Sequence, residues 1–301
     1  MNDREVIVSA APPADLAATT GQIELSDIEE LERRLIKRAR AQDRKDRVLR
    51  VASPVAVVAA LIVAWEIGVR ALDVATYLVP PPSLVAETFV EQMSVLSSNT
   101  LTTLSAIAVG FVMSIIVGTA VAVLTYFWRP FERGIYPLII ALQAVPKVAI
   151  APLFAIWFGF TLTTRASMAF LLGVFPVLVS TLVGLRSLAP EKVVLARSIG
   201  LGASKTFYKI RLPQALPSMF GGAKVGLALS MVGAVVGEFI GGASGLGYLI
   251  QRANHDLNTP LLFAALSLLA AFAVALFFAI EALERWLLPW HARRDQALDT
   301  L

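Results

Sequence analysis

The stretch PEKVVLARSIGLGASKTFYKIRLP, residues 190–213, decides how the rest of the chain is arranged. It is polar and basic, and it lies between two long apolar runs, 166–185 and the run that begins near Leu216. Charge that is left unpaired within hydrocarbon costs several kcal/mol per residue. The stretch is therefore predicted to leave the membrane as a loop, and its lysines and arginines predict that the loop is cytoplasmic.

This loop carries signals for structure of its own. Pro190 can begin a helix, because the first turn does not need its missing N–H. Gly200 and Gly202 would end that helix and allow a positive φ. Ser204 would then cap a second short helix that Pro213 ends. A helix–turn–helix element of this kind suits a groove on a soluble partner. The alternative is an ordinary connection between two spans, although loops this long without structure are uncommon.

The composition is typical of a polytopic membrane protein, since 57% of the 301 residues are hydrophobic and only 16% are charged. Cysteine is absent, and the two histidines, His255 and His291, have no ligand partner at helical spacing. The chain therefore offers no metal site, no catalytic residue and no phosphate-binding glycine loop. Its basic residues cluster by loop, which indicates membrane orientation rather than nucleic-acid binding.

Six transmembrane spans are predicted, and their topology follows from the basic residues. Of the 26 lysines and arginines, 21 fall on segments that this topology places inside, which predicts two cytoplasmic termini. The third span contains three prolines and is expected to be broken. The fifth span is glycine-rich, which permits close helix contact. The predicted spans are about 51–69, 101–127, 135–158, 167–185, 216–240 and 261–283.

The chain is predicted to divide into four parts. Residues 1–50 form a cytoplasmic tail, in which a basic amphipathic helix near anionic lipid competes with a solvated charged tail. Residues 51–98 hold the first span and a short helix in the outer interface, which Ser83 would cap after three prolines. Residues 99–290 form the core, with the cytoplasmic loop at 186–215, and residues 291–301 form a cytoplasmic tail.

The loop resembles a motif of ABC importer permeases. Ala196, Gly200 and the segment 210–213 (Ile-Arg-Leu-Pro) match the spacing of Glu-Ala-Ala, three residues, Gly, nine residues, Ile-x-Leu-Pro. Val194 and Leu195 depart from it, because they stand where the motif has Glu and the first Ala. In that family the loop is a coupling helix that docks into the ATPase subunit.

Further stretches are similar to the nitrate, sulfonate and taurine branch of these permeases. The resemblance implies an all-α, type I importer domain in the inner membrane that works by alternating access. It also implies a second copy of the permease, a pair of cytoplasmic ATPase subunits that bind ATP and Mg, an external or periplasmic substrate-binding protein and surrounding lipid. No cofactor is expected on this chain. The similar stretches are 99–104, 144–153, 157–160, 237–240 and 245–248.

Two groups of working residues follow. The resemblance implies that the ATPase-coupling loop uses Ala196, Arg197, Gly200, Leu201, Gly202, Ala203, Ile210, Leu212 and Pro213.

The translocation path is predicted to include Gln143, Pro146, Lys147 and Glu238. Lys147 lies deep in a span and should face a cavity or a partner. It can line the path for an anion, or it can reach the interface or pair structurally with Glu238. Gln143 is expected one turn before it on the same face. Lys224 is expected to extend back to the cytoplasmic interface.

The predicted function is import of a small anion such as sulfonate, taurine or nitrate. The resemblance leaves open a pyrimidine or other vitamin-like precursor. A stand-alone secondary transporter is disfavoured, because it would need acidic residues for ion coupling and the spans offer only Glu66 and Glu238, both near span ends.

Overall fold

The computed structural model describes residues 53, 56–128, 130, 133–134, 137, 141, 143–240 and 242–289. The predicted helix in the basic tail, most of the turn between the second and third spans, most of 135–142 and the tail from 291 lie outside these residues. The chain divides into two units, Met1–Trp65 and Glu66–Leu301. The first contributes mainly the helical residues 56–65, and the following description concerns the second.

The described structure is helical. A first helix, α1, covers 56–71. It is followed by α2 (Pro82–Glu91), α3 (Met93–Phe127), a 3₁₀ turn (Lys147–Ile150), α4 (Ala151–Phe158), α5 (Leu162–Arg186), α6 (Pro190–Ser198), α7 (Ala203–Thr206), a π-helical turn (Phe207–Arg211), α8 (Leu212–Phe239), α9 (Leu246–His255) and α10 (Thr259–Leu287).

Four of the described helical segments are long and apolar enough to cross a membrane. They are Met93–Phe127, Leu162–Arg186, Ala203–Phe239 and Thr259–Leu287. They correspond to the second, fourth, fifth and sixth predicted spans, although three of them begin at least four residues earlier than predicted. The third predicted span is broken at Pro146 as expected, where the chain is extended before the 3₁₀ turn.

The centre of the bundle is α5, which packs between α3 and α8. In the most apolar 18-residue stretch of each helix, 67% of the residues are buried in α5 and 11% in α10. Most of α10 is therefore half-buried or exposed, although its residues are apolar. Glycines set the distance between α5 and α8. A Cβ at Gly226 would lie 3.0 Å from the carbonyl oxygen of Gly173, and one at Gly237 would lie 2.9 Å from Cα of Arg165. The predicted glycine-mediated contact is thus confirmed, except that nothing lies within 4 Å of Gly221.

One local prediction about a helix end was wrong, and one helix was not predicted. Ser83 does not cap α2, because the N-cap position is Pro81. Instead, the Ser83 hydroxyl and N–H donate to the Glu66 carboxylate at 2.9 and 3.0 Å. The segment 241–260 also contains a helix, α9, that was not predicted. Its buried residues Leu246, Leu249 and Ile250 pack with α2, α3 and α10 in one apolar cluster.

Candidate functional site

The first half of the predicted coupling loop folds as expected. Pro190 lies in the first turn of α6, and Glu191 places a carboxylate near the positive end of the helix dipole. The helix ends at Ser198, and Gly200 follows with φ of +76°. Its N–H donates to the carbonyl of Arg197 at 3.0 Å. Gly200 is therefore required by backbone conformation and not by crowding, because nothing lies within 4 Å of its Cβ position.

The second half differs from the prediction. Gly202 occupies the N-cap position of α7, and Ser204 lies inside that helix. Pro213 ends no helix, because it lies in the first turn of α8, where a missing N–H costs least. The helical path runs from Ala203 to Phe239 through the π-helical turn. The predicted second helix of the loop is thus the N-terminal part of the helix that forms the fifth span.

The outer face of α6 is apolar and uncovered in the described structure. Val194, Leu195 and Ile199 are 63%, 64% and 67% exposed, whereas Ala196 is buried against the bundle. Arg197 is also exposed. Val194 thus presents an aliphatic side chain where the family motif has a carboxylate.

Several of the predicted loop residues meet at one cleft. This cleft, of about 400 Å³, lies between the loop and the end of α3. Arg197, Leu201 and Ala203 border it from the loop, and Tyr126 and Phe127 border it from α3. Ile210, Leu212 and Pro213 are not among its lining residues, and all three are half-buried.

Arg211 attaches the loop to the bundle, and sequence reasoning passed over it because it fills the variable position of the motif. Its Nη1 donates to the carbonyl of Leu185 at 2.6 Å, and its guanidinium carbon lies 4.9 Å from the ring centroid of Tyr126. Lys192 and Gln214 add two weaker contacts, each of 3.3 Å: Lys192 Nζ to Gln214 Oε1, and Gln214 Nε2 to the carbonyl of Ser187.

Glu238 lies at the other end of α8 and is fully buried. The Thr103 hydroxyl donates to Oε1 at 2.7 Å, and the N–H of Gly247 donates to Oε2 at 2.7 Å. Arg165 on α5 is also buried, and a Cβ at Gly237 would lie 2.9 Å from its Cα. The carboxylate is therefore enclosed by groups of the chain itself.

The segment before α9 is held by the same region of α3. The N–H of Gly245 donates to Oδ1 of Asn99 at 2.7 Å, and the N–H of Leu246 donates to the Thr103 hydroxyl at 2.8 Å. Asn99 and Thr103 are four residues apart on one helix and therefore share a face. Two polar residues at this spacing in an apolar helix were the signal that could have located the site.

The remaining path residues lie where α4 begins. The helix containing Gln143 stops before Pro146, so the predicted shared face with Lys147 does not form. Gln143 and Pro146 are exposed. Lys147 is half-buried, and its Nζ lies 4.5 Å from the ring centroid of Phe175. The alternative prediction that Lys147 pairs with Glu238 was wrong, because no ion pair joins these two described residues.

Lys224 forms an ion pair that was not predicted, and its reach toward the cytoplasmic interface stays a prediction. Its Nζ lies 2.7 Å from Oε2 of Glu284 on α10, and it also lies 5.5 Å from the Phe277 ring centroid. The two charged side chains are only 21% and 19% exposed. Mutual neutralisation lets both charges stay within the apolar part of the chain. The pair therefore connects α8 to α10.

Among the residues that the structure describes, no group of His, Cys, Asp or Glu side chains could hold a metal ion. The polar groups at both ends of the bundle bind helices and turns to one another. The arrangement is that of a helical bundle with a protruding, partly apolar loop at one end and a closed polar network at the other.

Comparison with known proteins identifies this arrangement. Residues 110–291 match the family described as binding-protein-dependent transport system inner membrane component. The chain is 34% identical over 235 residues to the formylaminopyrimidine transport permease protein ThiX of Halalkalibacterium halodurans, covering 78% of this chain and 94% of the relative. It is 38% identical over 234 residues to the riboflavin transport system permease protein RibX of Chloroflexus aurantiacus, covering 77% and 87%.

Two further similarities extend this result. The taurine transport system permease protein TauC of Escherichia coli is 34% identical over 163 residues, covering 54% of this chain and 59% of the relative. A solved structure of the MetNI methionine ABC transporter, in inward-facing conformations, matches with a TM-score of 0.57 and 18% identity, covering 65% of this chain and 97% of that chain. This structural match shows the fold alone. The chain therefore belongs to the binding-protein-dependent transport family, as a multi-pass inner-membrane permease subunit of an ABC importer whose ATP hydrolysis is performed by a separate subunit.

Proposed function

We propose that the loop 186–215 is the surface through which this permease binds its ATPase subunit, with α6 as the part that enters the partner. The observation that carries the proposal is the exposed aliphatic face of Val194, Leu195 and Ile199. Burying one such side chain contributes about 1.5–3 kcal/mol, so three adjacent ones form a strong anchor. The proposed working residues are those that the loop motif implies, from Ala196 to Pro213.

A substitution of Leu195 tests this docking surface. Leu195→Asp should lower recovery of the ATPase with the tagged permease at least about tenfold, because a carboxylate would replace a buried anchor. Leu257→Asp is the matched control, since Leu257 is 70% exposed at the other end of the bundle. Its φ of +52° is one that Asp tolerates. Normal recovery of the ATPase with Leu195→Asp would contradict the assignment.

The proposed assembly contains two copies of the permease, a pair of ATPase subunits, a substrate-binding protein and a surrounding layer of lipid. Two exposed apolar surfaces support the proposed contacts with a second copy of the permease and with lipid. Val179 and Val183 on α5 are exposed at 41% and 59%, in an otherwise buried helix, and most of α10 is uncovered. We further propose residues 99–290 as the permease core, with the loop on the cytoplasmic side.

The proposed cargo is a small organic solute of the vitamin-precursor type, such as a pyrimidine or a flavin. The relatives named for formylaminopyrimidine and riboflavin match about three quarters of this chain and nearly the whole of their own length. The taurine permease matches over a shorter segment. A small anion such as taurine, another sulfonate or nitrate is the second candidate. It is favoured by the half-buried ammonium of Lys147 beside the exposed Gln143 and Pro146, which we propose as path residues.

The binding protein that co-purifies with the complex separates the two candidates. Calorimetric titration with a formylaminopyrimidine, riboflavin, taurine and nitrate should give binding of one of the two heterocycles. Binding of taurine or nitrate alone would establish the anion alternative.

A further inference from the structure

We propose that Arg211, whose guanidinium carbon lies 4.9 Å from the ring centroid of Tyr126, is the joint that passes movement of the coupling loop to α3. This inference rests on the proposed docking of the loop to the ATPase. It assigns Arg211 and Tyr126 as positioning residues of coupled transport, and they touch neither solute nor nucleotide.

One guanidinium group connects three elements. Arg211 ends the π-helical turn, its Nη1 donates to the carbonyl of Leu185 at 2.6 Å, and its plane lies over the ring of Tyr126. Leu185 is in the last turn of α5, where carbonyls have no helical partner and the dipole favours a cation. Tyr126 is in the last turn of α3. The ends of α3 and α5 are therefore both held to the π-helical turn of the loop.

Phe207 lies at the start of the same turn and lines the same cleft as Arg211. It is 4% exposed and packs with Leu185 and Ala215. Its ring centroid lies 5.8 Å from that of Tyr126 and 4.7 Å from that of Phe127. Close-packed interiors transmit displacement, because they have no free volume to absorb it. The turn is thus fixed to α3 by aromatic packing as well as to α5 by a charged hydrogen bond.

The π-helical turn gives this contact its position in the chain. It lies between α7, which belongs to the loop, and α8, which crosses the membrane. Single π turns of this kind interrupt an otherwise continuous helix and often mark functional sites. A displacement of α7 must pass through Phe207–Arg211 to reach α8, whereas α6 is joined directly to α5 through 187–189. Within Phe207–Arg211, the described side-chain hydrogen bond to the end of α5 is that of Arg211, at 2.6 Å.

Loss of the guanidinium should separate docking from movement. The exposed face of α6 does not include Arg211, so the ATPase should still bind to a variant that lacks it. The loop could then move, with α5 following through 187–189, without drawing the end of α3 along. Hydrolysis would continue while α3 fails to respond.

The absence of cysteine from the chain allows a direct test. Single cysteines are introduced at Lys205, exposed on α7, and at Leu124, exposed on α3, in the full complex of permease, ATPase and binding protein. The alkylation rate of each cysteine is measured with and without trapping by ATP, Mg²⁺ and vanadate. With Arg211 present, trapping should shift the rate at both positions. With Arg211→Gln, the shift should persist at position 205 and fall about tenfold at position 124, the effect of losing one charge-assisted hydrogen bond.

Matched variants and a binding assay define the outcomes. Lys209→Gln removes the same charge from an exposed position of the same turn and should leave both shifts unchanged. Arg211→Lys keeps a donor without the planar face and should restore part of the shift at position 124. An unchanged shift at position 124 in Arg211→Gln would overturn the proposal, and so would equal losses at both positions with normal ATPase recovery. Failure of docking itself is a separate result, because it is read from ATPase recovery with Leu195→Asp.

Discussion

The two ends of the bundle are built in opposite ways. At the loop end, Leu195 and Ile199 expose aliphatic side chains, and Gly200 turns the chain in open space. At the other end, Glu238 is fully enclosed and Gly245 packs directly against its carboxylate. Both glycines have a positive φ, +76° and +113°. One end therefore has an apolar surface that a partner can cover, and the other satisfies its polar groups within the chain.

The difference shows that similar residues have different functions at the two ends. A glycine at the loop end is required only by its backbone angles, so its replacement should disturb the loop more than the bundle. A glycine at the Glu238 end is required by both angle and contact, so its replacement should disturb the bundle itself. The predictions below test this contrast, from the largest expected effect to the smallest.

Gly200→Val should have the largest functional effect with a modest effect on stability. The strained φ costs about 1–2 kcal/mol, while the open space around the position gives no clash. The altered turn would misplace α6 relative to α7, and we expect ATP hydrolysis to continue without solute uptake. Uptake and hydrolysis are measured together in proteoliposomes that contain the binding protein. Normal uptake per ATP would remove the coupling role from this glycine.

Gly245→Ala should have the largest effect on stability. Its Cβ would overlap the Glu238 carboxylate, and its φ of +113° is rare for a side-chain-bearing residue. Strain and overpacking together should lower the free energy of unfolding by about 3 kcal/mol. Gly200→Ala is the matched control, since it has strain without overlap and should cost about 1 kcal/mol. Thermal unfolding in detergent compares the two, and equal losses would remove the contrast between the ends.

Much of this contrast could be read from the sequence at the loop end. Pro190, the glycines and the basic residues follow from local rules of helix initiation, turn geometry and membrane orientation. Each of these rules concerns neighbours in the chain. For this reason the helix, the turn and the exposed loop were predicted. The errors concern Ser204, which lies inside α7 and does not cap it, and Pro213, where a π-helical turn lets the helix continue.

The network at the other end could not be predicted in the same way. Glu238 and Thr103 are 135 residues apart, and Gly245 and Asn99 are 146 apart, so their contacts depend on how α3 packs against α8. Sequence reasoning placed Glu238 near a span end and considered Lys147 as its partner. Buried polar groups require partners, but the requirement does not say which segment supplies them.

Thr103→Val should have an intermediate effect. It removes the hydroxyl that donates to Glu238 and accepts from the N–H of Leu246, and it preserves the shape of the side chain. Loss of a hydrogen bond to a charged group costs about 1.5–3 kcal/mol. Thr102→Val is the control on the same helix, because its exposed hydroxyl donates only weakly to the carbonyl of Ser98, at 3.3 Å. It should change the free energy of unfolding by less than about 0.5 kcal/mol. A similar loss in both variants would mean that the network contributes little.

Lys147→Met should have the smallest effect on stability and tests a residue that belongs to neither end. The cation–π contact with Phe175 contributes about 0.5–1 kcal/mol at a partly exposed site, and Met retains most of the apolar contact. If Lys147 attracts an anion in the path, uptake should fall with little loss of stability, and Lys147→Arg should restore it. If the ammonium serves only to pack on Phe175, uptake should stay normal while stability falls. Because the pyrimidine and flavin candidates need no positive charge at this position, normal uptake in Lys147→Met would also favour the heterocyclic cargo over the anion.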